Sequence, residues 1–155
     1  MDKVITCLWF DGHVEEALEL YTSLLPDAHV LEIARYASDA QGMAGQVLSG
    51  RFRLAGQDFL LINGGPAFPQ SEAVSLQILC DTQEEIDRLW ATLLEGGKAS
   101  QCGWLKDRFG VSWQITPRAL GPMLADADPE RARRVTEAML GMVKLDIAAL
   151  ERAYG

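Results

Sequence analysis

A chain of 155 residues with 48% apolar and 23% charged content has the size and make-up of one ordinary globular domain with a real core. Its net charge of −8, with basic residues scattered, argues against nucleic acid, which needs clustered Lys and Arg. No membrane span or signal-peptide pattern is present at Met1-Asp2-Lys3-Val4 or elsewhere, and Cys7, Cys80 and Cys102 lack paired spacing, so free thiols and a cytoplasmic location are expected.

Ile5 to Phe10 is an apolar strand. After Asp11-Gly12, the spacing of Val14, Ala17, Leu18, Tyr21, Leu24 and Leu25 predicts an amphipathic helix over 13–25, stopped by Pro26-Asp27. Strand-like runs follow at about 28–36, 45–55 and 58–63, broken at 38–42 and 55–58. Asn63-Gly64-Gly65-Pro66 opens a turn-rich linker. The same order then repeats. Val74 to Cys80 is a strand, and Asp81-Thr82 with Glu84 or Glu85 can cap a helix carrying Ile86, Leu89, Trp90, Leu93 and Leu94. Gly96-Gly97 ends that helix, and short strands are expected near 98–101, 103–106 and 111–116. Each half reads strand, helix, three strands, which makes duplication plausible.

Beyond Pro117 the pattern is helical. Leu120, Met123 and Leu124 form a short stripe, and Asp128-Pro129-Glu130 is a strong helix start. Asp146 caps a last helix with Ile147 and Leu150. Arg131, Arg133 and Arg134 read as a solvated helix face. The expected organisation is a single domain: module 1 at about 3–63, a linker at 64–72, module 2 at about 73–116 and a helical tail at 117–155.

Few residues point to catalysis. His13 and His29 stand alone, with no His-x-x-x-His or Glu-x-x-His pairing. Glu15-Glu16 and Glu84-Glu85 fall on exposed helix faces. No base or positive neighbour that would activate a cysteine is evident. Catalytic residues are therefore unassigned, and no cofactor is expected.

The order of elements resembles the vicinal oxygen chelate fold of glyoxalase and bleomycin-resistance proteins. Ile5 to Gly12 with Glu15-Glu16-Ala17 and Tyr21, Phe59 to Pro66, Ser75-Leu76-Gln77, Cys80 to Glu85 and Cys102 to Pro117 narrow the resemblance to its PhnB-like branch. That implies an α+β fold: two βαβββ modules forming a curved mixed sheet around a cleft, plus C-terminal helices, in a homodimer. Many superfamily enzymes hold a divalent metal on His and Glu ligands as a Lewis acid. The resemblance puts Thr6, Ser75 and Gln114 at three ligand positions and the fourth near Leu61 to Asn63. These are neutral, weak donors, so no metal site of the usual kind is expected. Relatives of this branch are often labelled 3-demethylubiquinone 3-methyltransferases. No Gly-x-Gly-x-x-Gly turn for S-adenosylmethionine exists, and Pro66 cannot donate a backbone N–H.

Strand alternation completes the expectation. Gln114 would bring Ser112 to the cleft, Ser75 would bring Gln77, and Thr6 would bring Leu8 and Phe10, leaving Cys7 and Trp9 on the other side. With Asn63 near the fourth position and Trp104 at the rim, the candidate cleft set is Thr6, Leu8, Asn63, Ser75, Gln77, Trp104, Ser112 and Gln114. Such a lining suits a small, partly apolar organic ligand, bound without metal. Alternatively, Gln77 and Gln114 satisfy each other inside the sheet, or the protein is a metal-dependent lyase, isomerase or dioxygenase with other ligands.

Overall fold

The computed structural model describes residues 3–39 and 42–155; Met1-Asp2 and Ala40-Gln41, the latter two within the expected break at 38–42, lie outside them. The chain divides into two compact units at Gln70–Ser71.

The first unit is one βαβββ module. Strand β1 (Thr6–Phe10), helix α1 (Val14–Thr22) and strands β2 (His29–Arg35), β3 (Val47–Leu54) and β4 (Gln57–Asn63) give a sheet of order β1-β4-β3-β2. β1 runs parallel to β4 and the other pairs are antiparallel. α1 ends three residues before the expected stop. There Thr22 Oγ1 and Ser23 Oγ donate to the carbonyls of Leu18 (2.7 Å) and Leu20 (2.6 Å), side-chain bonds that compete with continuing the helical ladder. The core lies between α1 and one sheet face. Tyr21 packs on Phe52 and Phe10, with centroids 5.7 and 6.5 Å away, and Phe52 stacks on Phe59 at 5.2 Å.

The linker is not a bare connection. Trp9 Nε1 donates to Gly65 O at 2.8 Å, Gln70 Nε2 donates to Trp9 O, and Phe68 meets the Trp9 ring edge-on at 4.9 Å. Gly64 is required by this approach: a Cβ there would lie 2.2 Å from the Trp9 indole.

The second unit repeats the module. Strand β5 (Ser75–Cys80), helix α2 (Gln83–Leu94) and strands β6 (Lys98–Ala99), β7 (Trp104–Lys106) and β8 (Ser112–Pro117) form a sheet of order β5-β8-β7-β6. The capping of α2 is as read: Thr82 Oγ1 accepts from Glu85 N at 3.2 Å, while Glu85 Oε2 accepts from Asp81 N at 3.0 Å. Ile86, Leu89 and Leu93 of α2 are buried, as are Leu105, Trp113 and Ile115 of the sheet.

Three helices finish the unit: α3 (Leu120–Leu124), α4 (Pro129–Leu140) and α5 (Ile147–Tyr154). Asp128 and Asp146 cap α4 and α5, accepting from Glu130 N and Ala149 N, both at 2.9 Å. Leu120, Val135, Leu145 and Leu150 form their core. This tail is fastened to the sheet. Cys102 N donates to Met142 O (2.9 Å) and Gly103 N to Val143 O (2.7 Å). Gly103 has φ 82°, and a Cβ would come within 2.9 Å of Leu145. The arginine cluster is only partly a solvated face. Arg133 is, but Arg134 donates to Ala153 O (2.9 Å) and Tyr154 O (3.0 Å) at the end of α5, and Arg131 stacks on Tyr154 at 3.8 Å. No helix among the described residues is long and apolar enough to cross a membrane.

Candidate functional site

The second sheet has one face covered by α2 and one open face. Period 2 fixes the assignment. Leu76, Ile78, Trp113 and Ile115 alternate with Ser75, Gln77, Leu79, Ser112, Gln114 and Thr116, and Trp113 and Ile115 are fully buried. The parallel register sets Ser75 beside Ser112, Gln77 beside Gln114 and Leu79 beside Thr116, while the β7 pairing adds Trp104 beside Gln114 and Lys106 beside Ser112. Five expected cleft residues, Ser75, Gln77, Trp104, Ser112 and Gln114, are thus together on one face.

Their polar groups form a row. Gln114 Nε2 donates to Ser75 Oγ at 2.8 Å. Gln77 Nε2 donates to Gln114 Oε1 at 3.2 Å and to Thr116 Oγ1 at 3.3 Å. The two glutamines therefore do satisfy each other in part, yet Gln77 Oε1 receives no donor from the described residues. Gln77, Gln114 and Thr116 of this row are the floor of a hollow of about 550 Å³. Trp104, Leu120, Pro122, Leu124 and Met139 give it apolar walls, with Cys102 and Arg118 also lining it. Alternation beyond Gln77 and Gln114 would have found Leu79 and Thr116. The tail residues were legible as an apolar stripe but not as a wall.

The first unit departs from expectation. Leu8 and Phe10 are 6% and 4% exposed and belong to the α1-covered core, and Thr6 shares their face. Cys7 is exposed, and Trp9 turns to the linker. The expected side of β1 is thus reversed: the sequence Thr-Cys-Leu-Trp-Phe is apolar in both phases, and the bulk of Phe10 against Tyr21 decides which phase is buried. Asn63 is structural in its contacts. Its Oδ1 accepts from Gly12 N at 3.0 Å, and its Nδ2 donates to Val47 O at 3.3 Å. It also lines a separate hollow of about 450 Å³ with His13, Glu15, Glu16 and Arg35.

The donor chemistry does not fit the metal that the superfamily implies. The open face of the second sheet offers amides and hydroxyls. Among the described residues no group of three or more His, Cys, Asp or Glu is placed to hold an ion. Nor are the thiols of Cys7 and Cys80 activated. Burial, with the charges of Glu85 and Asp81, pushes the Cys80 thiol up to about 12, and desolvation raises that of Cys7.

Comparison with known proteins agrees with this geometry. Residues 2–116 match the family described as 3-demethylubiquinone-9 3-methyltransferase. The chain belongs to that family. This family member is similar to a PhnB protein from Bacillus cereus, with 36% identity and a TM-score of 0.70 over 75% of this chain and 99% of that one. Protein PA1353 from Pseudomonas aeruginosa shares the fold at 21% identity and TM-score 0.62, over 76% and 98% of the two chains. The fosfomycin resistance protein FosX from Mesorhizobium loti does so at 14% identity and TM-score 0.54, over 81% and 100%. No significantly similar protein is found among curated proteins. The fold is that of the vicinal oxygen chelate superfamily, built as two open four-stranded mixed sheets with helices.

Proposed function

We propose that the protein binds a small, partly apolar organic ligand on the open face of its second sheet, without a metal ion. One observation carries the reading: Gln114, Gln77 and Thr116, three members of the hydrogen-bonded row that Ser75 begins, floor a hollow whose walls are Trp104, Leu120, Leu124 and Met139. Apolar walls with a few convergent hydrogen-bonding groups are the usual make-up of a small-molecule site. Methyl transfer, which the family description names, finds little support. The Asn63-Gly64-Gly65-Pro66 turn lacks the Gly-x-Gly-x-x-Gly spacing that cradles such a cofactor, and its Gly64 packs against the Trp9 indole. The homodimer expected of the superfamily is part of the proposal, and light scattering that gives a monomer mass would remove it.

The test is a metabolite and drug library screened by thermal shift in chelator-treated buffer, followed by elemental analysis. A ligand present at a hundred times its Kd stabilises by about 2.7 kcal/mol. Stabilisation should survive chelation and be lost in Gln114→Ala. Stoichiometric bound metal, or binding that appears only with a divalent ion, would replace this reading with that of a metalloenzyme.

A further inference from the structure

Beside the hollow described above, the same sheet face carries a smaller one. The β6–β7 pairing sets Lys98 directly opposite Lys106, and the β7–β8 pairing sets Lys106 opposite Ser112. Directly opposed residues share a face, so the two lysines are like-charged cross-strand neighbours, an unfavourable pairing. Glu72 compensates only one of them, holding Lys106 at 2.7 Å. Lys98 has no ion pair among the described residues, which leaves a local charge of one positive unit on an otherwise acidic protein.

Ser112 supplies an independent observation. It is 1% exposed, and its Oγ has no hydrogen-bond partner. A buried hydroxyl left unpaired is costly. Ser112, Lys98, Lys106, Ser100 and Trp104 all line this second hollow, of about 190 Å³. At roughly 30 Å³ per water, it has room for several waters' worth of ligand.

We propose that this hollow is a binding site for a small oxyanion group, a carboxylate or a phosphate. Ser112 Oγ donates to one of its oxygens, and the Lys98 and Lys106 ammonium groups balance its charge. The site goes beyond the ligand hollow proposed above and does not depend on it, because none of its three anchoring groups belongs to the Gln77–Gln114 row.

The test is a titration of the ¹⁵N-labelled full chain with inorganic phosphate and, separately, acetate, at constant ionic strength. Saturable shifts are expected at the Ser112 amide and the Trp104 indole N–H, the latter assigned with Trp104→Phe. Lys98→Met, an exposed change that leaves the core alone, and Ser112→Ala should each weaken binding about tenfold, as expected for a lost charged hydrogen bond. Saturation by phosphate only, or by both anions, supports the site and identifies the group. Shifts that stay linear, or variants that titrate like the parent, overturn it. Failure of the organic-ligand screen leaves this result untouched, so the two proposals are tested separately.

Discussion

Asp107 lies under the turn between β7 and β8, and its Oδ2 accepts a hydrogen bond from Trp113 Nε1 at 2.9 Å. The other oxygen accepts from Phe109 N (2.8 Å) and Val111 N (3.1 Å). A carboxylate that is 3% exposed thus closes the hairpin and fixes the indole at the centre of the second unit. Asp107→Ala removes the acceptor and leaves its donors buried without one. A loss of about 3 kcal/mol is expected, read by urea unfolding with tryptophan fluorescence.

Asp58 predicts how the first unit responds to acid. It is 1% exposed and is gripped by Arg53 at 2.6 Å and Arg51 at 3.2 Å. The hydrogen bond from Arg53, then the charges of Arg53 and Arg51, hold its carboxyl below the usual range. A depressed folded pKa gives stability that is complete above the unfolded value of about 3.9 and disappears as pH falls through the folded one. The melting temperature should therefore drop below about pH 4. In Asp58→Asn it should start lower at neutral pH and lose less on acidification, both followed by circular dichroism.

Gly64→Ala tests the linker. The added methyl must displace the Trp9 indole, which is also held by Gly65 and Phe68. Overpacking of this kind costs about 1–3 kcal/mol. The difference spectrum should report Trp9 moving into water, and Trp9→Phe should recover part of the lost stability.

Gln83, the first residue of α2, ties the tail to the module. Its Nε2 donates to Leu145 O at 3.1 Å, and its Oε1 accepts from Ile147 N at 2.9 Å. Gln83→Ala should cost about 1–2 kcal/mol. Hydrogen exchange should speed up selectively over 143–154. Because tail residues wall the larger hollow, ligands found by screening should also bind more weakly.

Much of this was legible in the sequence where one physical rule acted alone. The caps of α2, α4 and α5 were readable because Thr82, Asp128 and Asp146 act on their own next turn. The open face of β5 and β8 was readable because Gln77 and Gln114 alternate with Ile78 and Ile115. β1 was not, since both of its phases are apolar and a contact with Tyr21, 11 residues beyond Phe10, selects between them. The role of Asp107 was not legible either: it stands in the charged run Lys106-Asp107-Arg108, and its indole donor, Trp113, comes from the returning strand. Residues such as Met139 reach the hollow only through the docking of α4, which leaves no local trace.

The amide row across β5 and β8 also has a property that a pair of charged groups would lack. A glutamine side chain donates from one end and accepts at the other, so turning both amides over reverses the direction of the Ser75–Gln114–Gln77–Thr116 row without breaking the sheet. The floor of the hollow can thus offer a donor or an acceptor to its occupant. Since neither form titrates, the choice is independent of pH. Selectivity there would be set by the shape of the apolar walls, and the floor would accept more than one pattern of polar substituents.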